Sequence, residues 1–113
     1  MTTYSIALIP GDGIGREVVP EGVRVLEQAA RRFGLEWRFT EYDCSCDRYE
    51  KTGAFMPADG MEQLREHDAI FLGAVGWPTV PDHLSLWQLL LPIRRQMQQY
   101  INLRPVRMFK GMR

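Results

Sequence analysis

Only two cysteines occur in the 113 residues, two positions apart at Cys44 and Cys46. A bridge across that spacing is strained, and two thiols are too few for a zinc site without distant help. Neither a disulfide framework nor a thiolate metal centre therefore organises the chain. Incidental thiols in a reducing compartment are the expectation. Charge of one sign is also lacking, since 14 Lys and Arg offset 14 Asp and Glu. That balance argues against a basic nucleic-acid module and against a polybasic membrane anchor. Long apolar runs are missing too: the richest, Ala69 to Trp77, is too short and too Gly-containing to cross a bilayer, and no cationic lead precedes an apolar stretch at the N-terminus. A cytoplasmic protein with no nucleic-acid or membrane partner is expected. There is no internal repeat, low-complexity tract, linker, Walker lysine or nucleophile elbow. What remains is ordinary globular composition, 45% hydrophobic and 25% charged, at a length that allows one unit over residues 1–113.

The opening run Tyr4 to Ile9 is apolar, stops at Pro10 and Gly11, and predicts a strand buried on both faces. From Arg16 to Phe33, apolar residues recur at Val19, Val23, Leu26, Ala30 and Phe33, one stripe of a helix that Gly34 ends and Pro20 should bend. Trp37 to Tyr42 alternates as a half-exposed strand. Asp43 to Gly60 reads as a loop with at most a short helix near Asp47 to Lys51, and a further short helix is expected from Met61 to Glu66. A second buried strand, Ala69 to Leu72, ends at Gly73 and opens a loop reaching Asp82. Leu84 to Gln98 is helical in character despite Pro92, and Tyr100 to Phe109 alternates as a strand, Ile101 and Leu103 on one face, Asn102 and Arg104 on the other. This order predicts an α/β fold, layered, with a largely parallel sheet and flanking helices.

Two groups of residues invite a functional reading. Pro10-Gly11-Asp12-Gly13-Ile14-Gly15 joins strand to helix, where glycines permit positive φ and a helix N-terminus offers unpaired N–H groups to an anion or cofactor. The alternative is a tight connection and nothing more. The dinucleotide fingerprint is not met, because Arg16 stands where a third glycine would allow close packing. Arg94 and Arg104, one late on a helix and one on the following strand, can grip the two ends of a small dicarboxylate, each fork taking one carboxylate. An arginine taken alone is more often a solvated surface group. Asp82-His83 reads as a turn or helix cap with an exposed imidazole, His67 carries less signal still, and Trp77 and Trp87 read as core or pocket walls, with the core favoured.

Taken together, Ile9 to Val18, Leu72-Gly73-Ala74-Val75-Gly76, and Arg94-Arg95 followed by Tyr100 to Arg107 resemble the N-terminal portion of the metal-dependent, NAD-linked β-decarboxylating dehydrogenases. That family includes the isocitrate, isopropylmalate, homoisocitrate, tartrate and D-malate enzymes. Gly76-Trp77-Pro78 and Val80 to Trp87 resemble the tartrate/D-malate branch, with Pro78 to Val80 one residue shorter than that branch shows. Trp87 lies near where the isopropylmalate branch carries an acidic residue, and an indole cannot replace that charge.

The resemblance implies the N-terminal part of an isopropylmalate-dehydrogenase-like fold. It also implies oxidation and decarboxylation of a small 2-hydroxy diacid, tartrate or D-malate, with NAD taking a hydride and a lysine the hydroxyl proton. By the same resemblance Arg94 and Arg104 hold substrate carboxylates, while Gly13, Ile14, Ala74, Val75 and Gly76 border the NAD. A Mn²⁺ or Mg²⁺ ion, with K⁺ as a further cation, and a homodimer are implied for the full enzyme. The family's catalytic tyrosine, lysine and metal-binding aspartates lie beyond Arg113, so this chain alone is expected to be an incomplete α/β unit that holds no metal and turns nothing over. The alternatives are a 3-isopropylmalate dehydrogenase fragment and a noncatalytic anion- or nucleotide-binding α/β module.

Overall fold

The structure, a computed structural model, describes residues 2–112. Strand β1 (Thr2–Gly11) is flanked by β2 (Leu35–Glu41) and β3 (Ala69–Ala74), both parallel to it, giving the order β2-β1-β3. Parallel neighbours require crossovers. The first is α1 (Gly15–Phe33); the second carries α2 (Cys46–Thr52) and α3 (Gly60–Arg65). After β3 come α4 (Asp82–Ser85), a π-helical turn (Leu86–Leu90) and α5 (Leu91–Gln96).

The alternation of β1 divides the core. Ile6 and Leu8 face α1, where they meet Val19 and Val23 together with Trp37, Phe39 and Phe71. Ala7 and Ile9 face the other layer, packing with Cys44, Cys46, Phe55, Leu64, Leu89 and Ile93. A central strand covered on both faces must be apolar throughout, which is why Ile6 to Ile9 read as an unbroken run. Trp37 Nε1 donates to the Leu26 carbonyl at 2.7 Å and ties β2 to the helix. Gly34 ends α1 in the left-handed region, its N–H returning to the Ala30 carbonyl.

Several expectations are corrected. Phe33 is 69% exposed and leaves the apolar stripe of α1. Strand β3 runs past Gly73 to Ala74 and is only half-buried, because it lies at the sheet edge rather than between two neighbours. The helix expected from Leu84 begins at Asp82 and is broken by the π-turn, where the Leu91 N–H reaches back to the Leu86 carbonyl. Pro92 explains it: its ring has no N–H for the Gln88 carbonyl and would crowd that group in a regular helix, and the wider turn just before it makes room. The strand expected from Tyr100 to Phe109 is irregular and exposed, with Val106 at 95%. Alternation alone makes no strand; among the described residues no neighbouring strand offers this segment its hydrogen bonds.

Gly15 sets how closely α1 approaches the sheet. A Cβ there would stand 1.9 Å from the Pro10 carbonyl oxygen and 2.7 Å from the Ala74 nitrogen. The close packing that Arg16 seemed to forbid is thus supplied one residue earlier. Gly15→Ala should lower unfolding stability by about 2–4 kcal/mol, because only backbone is available to move. Gly13→Ala, with φ +50° but nothing within 4 Å, should cost only about 1 kcal/mol. Urea denaturation of the two variants checks the contrast.

Candidate functional site

The β1–α1 turn passes through Gly11 at φ +76° and Gly13 at φ +50°, conformations that favour glycine, and these place Asp12 inward at 3% exposure. The Asp12 N–H donates to the Ala74 carbonyl at 2.6 Å. Its carboxylate accepts three backbone N–H groups: Cys46 at 2.9 Å, Asp47 at 3.2 Å and Gly76 at 3.2 Å. Two of these are the first donors of α2, and the next donor along that helix, the Arg48 N–H, goes to the Ser45 hydroxyl at 3.0 Å. A buried carboxylate is stable when several donors converge on it, and these bring the turn, α2 and the loop after β3 to one point.

The backbone donors at the start of α1 close on the turn itself. The Gly15, Arg16 and Glu17 N–H groups donate to the Asp12, Gly13 and Ile14 carbonyls at 2.9, 3.1 and 3.0 Å. Those three donors are thereby occupied within the turn. Beside it lies a cavity of about 320 Å³ lined by Asp12, Gly13, Arg16, Asp47, Glu50 and Trp77. Ile14 is exposed, Ala74 and Val75 are half-buried, and nothing approaches within 4 Å of a Cβ built on Gly13 or Gly76. Arg16 Nε donates to the Gly11 carbonyl at 3.2 Å, and its guanidinium lies 3.8 Å from Asp47. The Lys51 ammonium, hydrogen-bonded to Asp47 at 2.8 Å, holds that carboxyl below its ordinary range, and Arg16 adds to the effect.

Arg94, on α5, is half-buried and borders two cavities of about 90 and 290 Å³, the first walled by Ile70, Leu72, Leu90 and Ile93. Arg104 lines neither; it is exposed in the irregular C-terminal segment, its Nε directed at Asn102 Oδ1 3.4 Å away. The two guanidinium groups are therefore not gathered into either cavity. Trp77 and Trp87 lie outside the core, at 48% and 57% exposure, and the Arg95 guanidinium sits 5.6 Å from the Trp87 ring centre. His83 is exposed as expected, whereas Asp82 is the first helical residue and Pro81 the cap. His67 is tied down at both ring nitrogens, Nδ1 to the Ser5 hydroxyl at 2.6 Å and Nε2 to the Tyr42 hydroxyl at 2.7 Å.

The sequence did not single out Asp12 or Glu50, and it favoured the core over a pocket wall for Trp77, which lines the cavity. An Asp between two glycines reads as a turn former, and its partners lie 34 to 64 residues away. Among the described residues, no three His, Cys, Asp or Glu side chains are placed to hold a metal ion, so these residues do not fit the divalent ion. No helix among them is long and apolar enough to cross a membrane.

Residues 5–113 match the family described as isocitrate/isopropylmalate dehydrogenase. The chain is 58% identical over 113 residues to the D-malate dehydrogenase [decarboxylating] of Escherichia coli (strain K12), covering 98% of this chain and 31% of that protein. It is 56% identical over 111 residues to the tartrate dehydrogenase/decarboxylase of Pseudomonas putida, covering 96% and 30%. Among solved structures, the apo β-decarboxylating dehydrogenase of Thermococcus kodakarensis superimposes with a TM-score of 0.66 at 32% identity, over 86% of this chain and 27% of that one. The chain thus spans less than a third of the length of the curated relatives it matches.

Three expected outcomes concern the buried groups. Asp12→Asn puts an amide donor among three backbone donors and should cost about 2–4 kcal/mol in urea unfolding, with faster hydrogen exchange at Gly76. Cys44 and Cys46 are raised from 9.0 to about 11, chiefly by burial, with Asp12 adding to the shift at Cys46. Iodoacetamide at pH 8 should leave both thiols unmodified until urea exposes them, as read by mass spectrometry. A folded chain that keeps protons the unfolded chain releases loses stability as pH rises. This contribution is complete below pH 9 and lost towards pH 11, and a Cys44→Ala/Cys46→Ala variant should show a shallower decline than the parent.

Proposed function

The chain belongs to the isocitrate/isopropylmalate dehydrogenase family, and from that premise we propose that it forms the N-terminal part of an NAD-dependent subunit that oxidises and decarboxylates tartrate or D-malate. The observation that carries this reading is the 58% and 56% identity to decarboxylating D-malate and tartrate enzymes over almost the whole chain. Exposed Trp87 is consistent with it, because the broad indole leaves less room for a branched substrate than for a short one.

In this reading NAD, when bound, accepts the hydride from carbon 2 of the hydroxy acid. The chain's own residues bind and orient. Arg94 and Arg104 hold the two carboxylates, which fixes the acid's direction as well as its charge. Arg94 already has apolar walls that strengthen a charge-assisted contact, and Arg104 comes to the substrate once its segment acquires a strand neighbour. Gly13, Ile14, Ala74, Val75 and Gly76 border the cofactor's flat portion, with the Asp12 carboxylate holding turn and loop at a set separation. Proton transfer and the divalent ion, Mn²⁺ or Mg²⁺ with K⁺ beside it, belong to residues outside these 113, as does the pairing of two subunits in a homodimer. A cytoplasmic location completes the proposal.

The test is an assay of this segment in a complete subunit, either its own reading frame extended or a chimera in which it replaces the matching part of the Escherichia coli enzyme. With NAD and Mn²⁺, D-malate or tartrate should be oxidised with loss of carbon dioxide. A strong preference for isopropylmalate refutes the substrate assignment, and the 113 residues alone should turn over nothing. In the complete subunit Arg94→Ala should lower kcat/KM by about 1.5–3 kcal/mol, roughly tenfold to 150-fold.

A further inference from the structure

Strand β2 ends the sheet. Among the described residues β1 is its one neighbour, and its other side presents an open row of backbone donors and acceptors. The Tyr42 N–H donates to the Leu8 carbonyl at 2.8 Å, and Leu8 is the register partner of Glu41. The even-numbered residues of β2 therefore turn their N–H and C=O groups towards β1, while Leu35, Trp37 and Phe39 turn theirs to the open side. Exposed Glu36 and Arg38 flank Trp37 on the face away from α1, and the Thr3 hydroxyl donates to the Glu36 carboxylate at 2.9 Å. Charges on an edge usually keep other strands away, but their order here admits one particular strand. When β2 lies antiparallel to itself and is centred on Trp37, Glu36 of each copy stands opposite Arg38 of the other, and Leu35 opposite Phe39. A centre one residue either way sets Glu36 on Glu36 or Arg38 on Arg38, and parallel in-register pairing opposes like charges throughout.

We propose that β2 pairs edge to edge with β2 of a second copy, antiparallel about a twofold axis at Trp37. Trp37 then exchanges backbone hydrogen bonds with its own copy. The Glu36–Arg38 pairs fall at the non-hydrogen-bonded positions, where opposed side chains come closest. The same direction matches the ends of the strand. Arg31, Arg32 and Phe33, all exposed, close α1 just before β2, and exposed Glu41 and Asp43 stand at its far end. Among the described residues none of those four charges has an ion-pair partner. Glu41 and Asp43 also border a cavity of about 690 Å³ lined by buried Leu8 and Val19. The second copy brings its Arg31, Arg32 and Phe33 level with that border, so cations meet carboxylates and an exposed ring gains an apolar wall. Joined to a homodimer contact outside these residues, the pairing makes a dimer of dimers.

The experiment uses the complete subunit. Sedimentation velocity should give the parent twice the mass of Arg38→Glu, because both attractive pairs become repulsive and association weakens about tenfold or more. Glu36→Arg/Arg38→Glu, which exchanges the two charges, should restore the parent's mass. Hydrogen exchange read residue by residue should find the Leu35, Trp37 and Phe39 amides slow in the parent and fast in Arg38→Glu, with Glu36, Arg38 and Thr40 slow in both. Equal masses for the parent and Arg38→Glu overturn the pairing, as does an exchanged-charge variant that stays at the lower mass. Leu35, Trp37 and Phe39 amides that remain slow in Arg38→Glu at the lower mass overturn it too, since another strand of the subunit then covers the edge. D-malate and tartrate oxidation by the same samples reads the proposed function separately, Arg38 lying outside that site, so the failure of one is never taken for the failure of the other.

Discussion

The buried Asp12 carboxylate, receiving backbone N–H groups from α2 and from the loop after β3, is the interaction on which the rest of this structure depends. A charge in so dry a position is tolerable only while its donors stay in place, and the donors belong to segments distant in sequence. The carboxylate therefore converts the need to satisfy one ion into a constraint on three pieces of chain. Hydrophobic burial sets the two layers on β1, but it is non-directional and does not fix which residues of a loop face which. Hydrogen bonds to a single short side chain do.

This constraint also decides what the glycine turn can be. A strand, a glycine-rich corner and a helix are the ingredients of a phosphate site, and here they are assembled differently. The donors at the start of α1 close on the turn itself, and the charge at the corner is negative. Such a corner holds neighbouring chain and leaves uncrowded backbone at Gly13 on its surface.

Much of the architecture was legible because it follows from periodicity. The run Ile6 to Ile9, the α1 stripe and its end at Gly34, and the short helix near Asp47 each express a local rule. Membership of an α/β layered fold followed from their order. What was not legible depends on neighbours. Tyr100 to Phe109 has a strand's alternation, but a pattern carries no information on whether another strand lies beside it. Phe33 sits in phase with the α1 stripe yet stays exposed, with the Arg32 guanidinium 5.8 Å from its ring centre. Asp12 and Glu50 escaped notice for the same reason, since each gains its meaning from a residue far along the chain. Of the candidate site, the glycine turn and the loop after β3 do meet, through the Gly76 N–H; Arg94 and Arg104 do not share a cavity.

The π-turn at Leu86–Leu90 carries a consequence for Arg94. A turn wound with one extra residue delays every later side chain by about 100° about the axis, so α5 is out of phase with α4. Ile93 therefore points to the sheet and Arg94 beside it is half-covered, while Arg95 swings out over the Trp87 ring. The azimuth of Arg94 is thus set upstream, by how Pro92 forces the backbone to be wound before the chain reaches it.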